Sequence, residues 1–175
     1  MRARNILIVG FSCSGKTTTG EQVARRLGWR FFDLDHEVVT RAGRPIHEIY
    51  EEDGVDEYRR LERSRLAEVC DSDHQVVATG ASTVLDDASW QLVRGCGTVV
   101  ALDASPETIF GRLSLKYPDG PWIARGDDPV GQIRRRKAER QSRYDLAQFT
   151  VQVDTLTPAQ VAQEIIRLCG HAVEL

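Results

Sequence analysis

No apolar run in this chain outlasts a short β-strand, which leaves no segment able to cross a membrane as a helix. The first residues lack the apolar centre of a secretory signal. The cysteines Cys13, Cys70, Cys96 and Cys169 are scattered and never stand at C-x-x-C spacing. Neither a zinc site nor a disulfide framework is therefore expected, and the expected compartment is the reducing cytoplasm. There is no block of basic residues and the net charge is −3, so duplex nucleic acid is not an expected partner. Internal repeats and low-complexity tracts are absent. What remains is an ordinary globular composition, 41% hydrophobic and 28% charged, in 175 residues, enough for one domain with a substantial core.

The most informative stretch follows the apolar run Asn5 to Val9 and reads "GFSCSGKTTTG", residues 10–20. Gly10, Gly15, Lys16 and Thr17 fit G-x-x-x-x-G-K-[ST], a loop whose backbone N–H groups wrap around nucleotide phosphates. Gly15 permits backbone angles that a Cβ forbids. A helix predicted from Thr18 to Leu27, with Val23, Ala24 and Leu27 on one face, points its positive end at the anion. Ser12, Cys13, Ser14 and Thr18 complete the loop and first turn around the phosphates. Lys16 is placed to reach the β- and γ-phosphates, and the Thr17 hydroxyl to hold Mg²⁺. The alternative, a glycine-rich turn with a chance lysine, accounts poorly for matched positions in the required strand–loop–helix setting. Cys13 reads either as a reactive loop thiol offering redox control or as a small residue tolerated where a Cβ fits.

Strands are predicted at Ile6 to Val9, Phe31 to Leu34, Gln75 to Thr79, Thr98 to Leu102 and Phe149 to Val153, with helix-length segments between them. That alternation implies an α/β fold with a mainly parallel, doubly covered sheet. "KYPDGPWIARGDDP", Lys116 to Pro129, is rich in proline, glycine and aspartate and reads as a lid. A helix with the charge run "QIRRRKAERQSRY" follows.

Asp33 and Asp35 end the second strand at i and i+2, on one face and at the sheet edge that lines ligand crevices. Asp33 suits Mg²⁺ held through water, and Asp35 suits a substrate hydroxyl whose proton it accepts. The alternative for Asp35 is the N-cap of a helix starting near His36. In "DEYRRLERSRL", Arg59 sits beside an apolar face formed by Tyr58, Leu61, Leu66 and Val69, with Glu62 placed to pair with it. An arginine so oriented can clamp a carboxylate. Arg60, Arg63 and Arg65 are expected in solvent. Ile133, Lys137, Arg140 and Tyr144 form one stripe, so Arg140 points inward and needs an anionic partner, either a ligand or an internal carboxylate. Arg134, Arg135 and Arg136 form either a solvated face or a contact with the triphosphate.

Together, "GFSCSGKTTTG", "FFDLDHEV", "RAGRPIHEIYEEDGVDEYRRLE" and "ERQSRY" resemble the shikimate kinase family, small enzymes of the nucleoside monophosphate kinase-like P-loop fold. The resemblance runs over nearly the whole chain. It implies one domain, residues 1–175, of three layers: a five-stranded parallel sheet with helices on both faces, a mobile lid near 116–129 and a substrate-binding helical region near 35–65. It implies ATP and Mg²⁺, with phosphoryl transfer to a ring hydroxyl of shikimate or a similar hydroxy acid; a monomer is expected, although the sequence does not report the oligomeric state. Lys16, Asp35 and Arg140 would be catalytic, and Thr17 and Asp33 would hold the metal. Asp35, Arg59, Glu62, Gly80, Ala81 and Arg140 would bind substrate, with Glu62 positioning Arg59. Tyr50 and Tyr58 would wall the pocket and Arg112 would lie near the adenine.

The chain also departs from the family. Where the family carries three glycines, this sequence reads Gly80-Ala81-Ser82. Where the family's lid presents an arginine before a proline, it reads Gly120-Pro121, with Arg125 a possible replacement and Trp122 an added apolar surface. These departures keep two alternatives open: a kinase of the same fold acting on another hydroxylated or carboxylated metabolite, and a nucleotide-binding relative with little catalysis.

Overall fold

The computed structural model describes residues 5–117 and 126–170. Strands β1 (Asn5–Gly10), β2 (Arg30–Asp33), β3 (Gln75–Ala78), β4 (Thr98–Asp103) and β5 (Phe149–Gln152) form one sheet in the order β2-β3-β1-β4-β5. Every pairing is parallel. The five strands expected from sequence are these five, shifted at their ends by about one residue.

β1 is buried along its whole length because both faces are covered, which is why it reads as an unbroken apolar run. Its side chains alternate between two cores. Ile6 and Ile8 join Val76, Val100, Leu102, Val23 and Ile165 on one face, whereas Leu7 and Val9 join Val77, Val99, Leu66, Trp90 and Val93 on the other. The first core is covered by α1 (Lys16–Leu27), α6 (Pro106–Lys116) and α8 (Pro158–Cys169), the second by α4 (Gly54–Cys70) and α5 (Asp87–Cys96). Helix α7 (Pro129–Tyr144) reaches both, through Ile133 and Tyr144. A third, small cluster of Val38, Ile49 and Tyr58 ties α2 (Leu34–Ala42) and α3 (Ile46–Glu52) to the start of α4.

The helices after β1 and β3 lie on opposite faces, so the sheet changes winding direction between those adjacent strands. A crevice opens there at their carboxyl ends. The phosphate loop, Asp33 and the Thr79–Gly80 step all reach that edge. Asp33 is in register with Ala78, and Thr79 N donates to Ile8 O at 3.1 Å.

One sequence expectation is overturned here. Cys70 and Cys96 form a disulfide, with their Cα atoms 5.3 Å apart. They close the C-terminal ends of α4 and α5, which pack side by side on one face of the sheet. A spacing of 26 residues carries no motif, so only the helix packing brings the sulfurs together. Cys13 and Cys169 are free. The lid expectation, including Gly120, Pro121, Trp122 and Arg125, falls largely on residues 118–125, outside the described residues.

Candidate active site

The phosphate loop is a left-handed turn feeding a helix. Gly15, with φ 101°, is the N-cap of α1, and no side chain caps that end, so its N–H groups stay open to an anion. The Lys16 ammonium donates to the carbonyls of Gly10 and Phe11, each at 2.9 Å. Burial pushes its pKa down, opposed by the nearby Asp35 and Asp33 carboxylates. Ser14 Oγ is buried without a hydrogen-bond partner, an open valence inside the loop. Arg112 Nη1 donates to the Cys13 carbonyl at 3.1 Å, which places this arginine against the loop.

Cys13 adopts φ 58°, the left-handed region, where a side chain costs roughly 1 kcal/mol. The position does hold a Cβ, in a conformation that would suit glycine better. Its side chain is half-buried against the first core.

Thr17 Oγ1 donates to Asp33 Oδ2 at 2.5 Å. The two residues expected to hold a metal thus face each other across the start of α1. Asp33 Oδ1 also accepts from His36 N at 3.2 Å, so Asp33, not Asp35, caps α2. Asp35 lies in the first turn of that helix, with its carboxylate free of the capping role considered for it.

Asp35 Oδ1 accepts a hydrogen bond from the Tyr58 hydroxyl at 2.6 Å. Glu62, fully buried, accepts from Thr83 Oγ1 at 2.5 Å and lies 3.4 Å from the same tyrosine hydroxyl. Burial, only partly offset by the Thr83 hydrogen bond, pushes the Glu62 pKa up to about 7. Gly80 is the floor of this group. A Cβ there would collide with Glu62 Oε1 and lie 2.8 Å from Asp35 Oδ1 and 2.9 Å from the Tyr58 hydroxyl. Ala81 and Ser82 follow in a turn closed by Thr83 N donating to Gly80 O at 3.3 Å, ahead of a short 3₁₀ turn, Thr83–Leu85.

Arg59 and Arg140 carry the site's positive charge. No ion pair joins Arg59 to Glu62 among the described residues, which corrects the expected pairing. Glu62 turns instead to Thr83 and Tyr58, and Arg59 Nη1 lies 3.7 Å from the exposed Asp56. Arg140 stacks its guanidinium 5.0 Å from the centre of the Phe11 ring and donates to Arg136 O at 2.7 Å. Among the described residues no carboxylate pairs with it, so the internal salt bridge considered from sequence is not made. Arg59 Nε and Arg140 Nε are both buried without partners, the valences an anionic ligand would satisfy.

Other described arginines make ion pairs. Arg63 pairs with Asp86 at 2.9 Å, and Arg65 joins Glu37 at 2.8 Å to Glu68 at 2.9 Å. Arg65 is half-buried rather than in solvent, because it bridges α4 to α2. Arg134 and Arg135 are exposed and pair with Glu107 and Asp128. Thr83 and Phe11 were not legible as site residues. Phe11 occupies a variable position of the loop pattern, and Thr83 stands outside any motif.

The family model for shikimate kinase matches residues 12–169. The chain is 36% identical to a shikimate kinase of Caldanaerobacter subterraneus subsp. tengcongensis over 94% of its own length and 95% of that protein's. It is 36% identical to one of Moorella thermoacetica over 92% of its length and 91% of that protein's. Among solved structures, a shikimate kinase from Acinetobacter baumannii in complex with shikimate superposes with TM-score 0.86 at 28% identity, covering 95% of this chain and 92% of that one. A gluconokinase from Sinorhizobium meliloti, at TM-score 0.62 and 20% identity, shares the fold.

Proposed function

The chain belongs to the shikimate kinase family, and on that premise we propose that it transfers the γ-phosphoryl group of ATP to a ring hydroxyl of shikimate, giving shikimate 3-phosphate. The carrying observation is that Lys16 of the phosphate loop lies within electrostatic reach of Asp35, a carboxylate held at one oxygen by Tyr58, while two buried guanidinium nitrogens, Arg59 Nε and Arg140 Nε, lack partners. A substrate bearing both a hydroxyl and a carboxylate matches that arrangement.

Lys16 and the N–H groups of Gly15 and Thr17 receive the phosphates. The donor set of one hydroxyl and one carboxylate, Thr17 and Asp33 at 2.5 Å, fits a hard cation that takes its other ligands from phosphate and water. Thr17 and Asp33 would hold Mg²⁺, which would supply Lewis-acid charge neutralisation to the transfer when bound. Asp35 accepts the proton of the attacking hydroxyl. Arg59 and Arg140 clamp the substrate carboxylate and so fix the hydroxyl in line with the transferred group. The protein supplies position and charge, with no covalent intermediate.

We place this reaction in the cytoplasm in a monomer. None of the described helices is long and apolar enough to cross a membrane. A reducing compartment would hold Cys70 and Cys96 as thiols, so a Cys70–Cys96 bond in protein isolated from cytosol under alkylating conditions would count against that placement.

Ala81 and Ser82 favour a second reading, an acceptor related to shikimate but differently substituted, because their side chains take space beside Gly80. Product identification by mass spectrometry with MgATP and shikimate, quinate, sugar acids or hydroxy amino acids tests both readings. A product 80 Da heavier, roughly one phosphoryl group, formed fastest from shikimate supports the first. Preference for another acid supports the second.

A further inference from the structure

Tyr58 is the one buried tyrosine whose hydroxyl touches the carboxylate assigned to proton acceptance. Its ring is held from two sides: it belongs to the Val38–Ile49 cluster, and it stacks on Tyr50 with the ring centres 4.9 Å apart. That packing leaves the hydroxyl little freedom. It meets two carboxyl groups, Asp35 Oδ1 at 2.6 Å and Glu62 Oε1 at 3.4 Å. A phenol has one proton to donate, and the shorter distance assigns it to Asp35. Glu62 is served by Thr83 instead, at 2.5 Å. Gly80 closes the arrangement from below, since any Cβ there would press on all three oxygens.

We propose that Tyr58 is a positioning residue for the transfer: its hydroxyl pins Asp35 Oδ1, leaving Oδ2 as the oxygen turned to the acceptor hydroxyl. The proposal rests on the reading that Asp35 takes the acceptor proton. Without this bond, Asp35 would lose its only hydroxyl donor in the described structure and remain within the electrostatic reach of Lys16. The carboxylate would then swing about its own side-chain bonds, and the fraction of bound substrate aligned for proton transfer would fall. Because the effect acts on alignment and not on the guanidinium clamp, it belongs to turnover and not to substrate affinity.

Tyr58→Phe tests this while keeping the ring, the Tyr50 stack and the cluster. Steady-state kinetics with MgATP and shikimate should show kcat lowered about tenfold, the scale of losing a hydrogen bond to a charged group, with KM for both substrates within about threefold. A merely structural tyrosine would lower Tm and leave kcat per folded molecule unchanged, which would overturn the proposal. Crystal structures of wild type and Tyr58→Phe give a readout that needs no turnover. A changed or split Asp35 side-chain conformer in the variant supports the proposal, and an unchanged single conformer overturns it. A wild-type protein inert towards shikimate would instead sink the reading of the acceptor, while the Asp35 conformer would still decide the role of Tyr58.

Discussion

Asp35 and Glu62 stand near one hydroxyl, yet their surroundings give them different roles. Asp35 has a donor and is only half-buried, whereas Glu62 is enclosed, with its pKa pushed up to about 7. Replacing Asp35 with Asn should lower kcat by about 100-fold, the usual size of a general-base effect, with ATP binding kept. Glu62 makes a separate prediction about stability. Its pKa is about 7 in the folded chain against 4.5 for an unperturbed glutamate, so between those values the native state binds more protons than the unfolded one. Its contribution to stability is fully present below about pH 4.5 and is lost as pH rises through about 7. Thermal melts at pH 5 and pH 8 should show a larger loss of Tm in wild type than in Glu62→Gln, because the amide does not titrate. Parallel losses in the two proteins would mean that Glu62 is ionised throughout that range.

At the scale of elements, the site is built from strand ends and helix starts. The alternation of apolar runs with helix-length segments and the G-x-x-x-x-G-K-T spacing were enough to read the parallel sheet, the phosphate loop and Asp33 at its strand end. Asp35, expected on the same strand face, sits instead in the first turn of α2 because β2 stops at Asp33. The partners of those residues were not legible. Asp33 became the cap of α2 because that helix starts at Leu34, a boundary that apolar periodicity locates only to within a residue or two. Glu62 stood one turn from Arg59 and read as its partner. Burial of the carboxyl beneath Gly80 instead brought it to Thr83, a contact across 21 residues that no local pattern encodes. The double role of Asp33 predicts a double cost. Asp33→Ala should lower stability by about 1 kcal/mol through the lost cap. It should also raise the Mg²⁺ concentration needed for half-maximal rate, since Thr17 would lose its facing carboxylate. A variant that loses only stability would remove Asp33 from the metal's ligands.

Over the whole molecule, two cores on opposite faces of one sheet hold the crevice open at the ends of β1 and β3. Tyr58, Gly80 and Thr83 are then fixed by α4 and by the segment between β3 and α5. Helices α4 and α5, which precede and follow that segment, carry the Cys70–Cys96 bond. Closing a loop of 26 residues should add about 3 kcal/mol by restricting the unfolded chain, a shift in Tm on the order of 10 °C on reduction. After air oxidation of the purified protein, thiol titration under denaturing conditions should find only the two free cysteines, Cys13 and Cys169. Titration of all the cysteines would show that the bond is not formed. The central claim is that Asp35, set beside the phosphate loop, takes the proton of a shikimate hydroxyl. The most direct test is ADP release with MgATP, with and without shikimate, from wild type and Asp35→Asn side by side. Shikimate-dependent release in wild type, reduced about 100-fold in the variant with ATP still bound, is the expected result. Equal shikimate-dependent release from both proteins would contradict it.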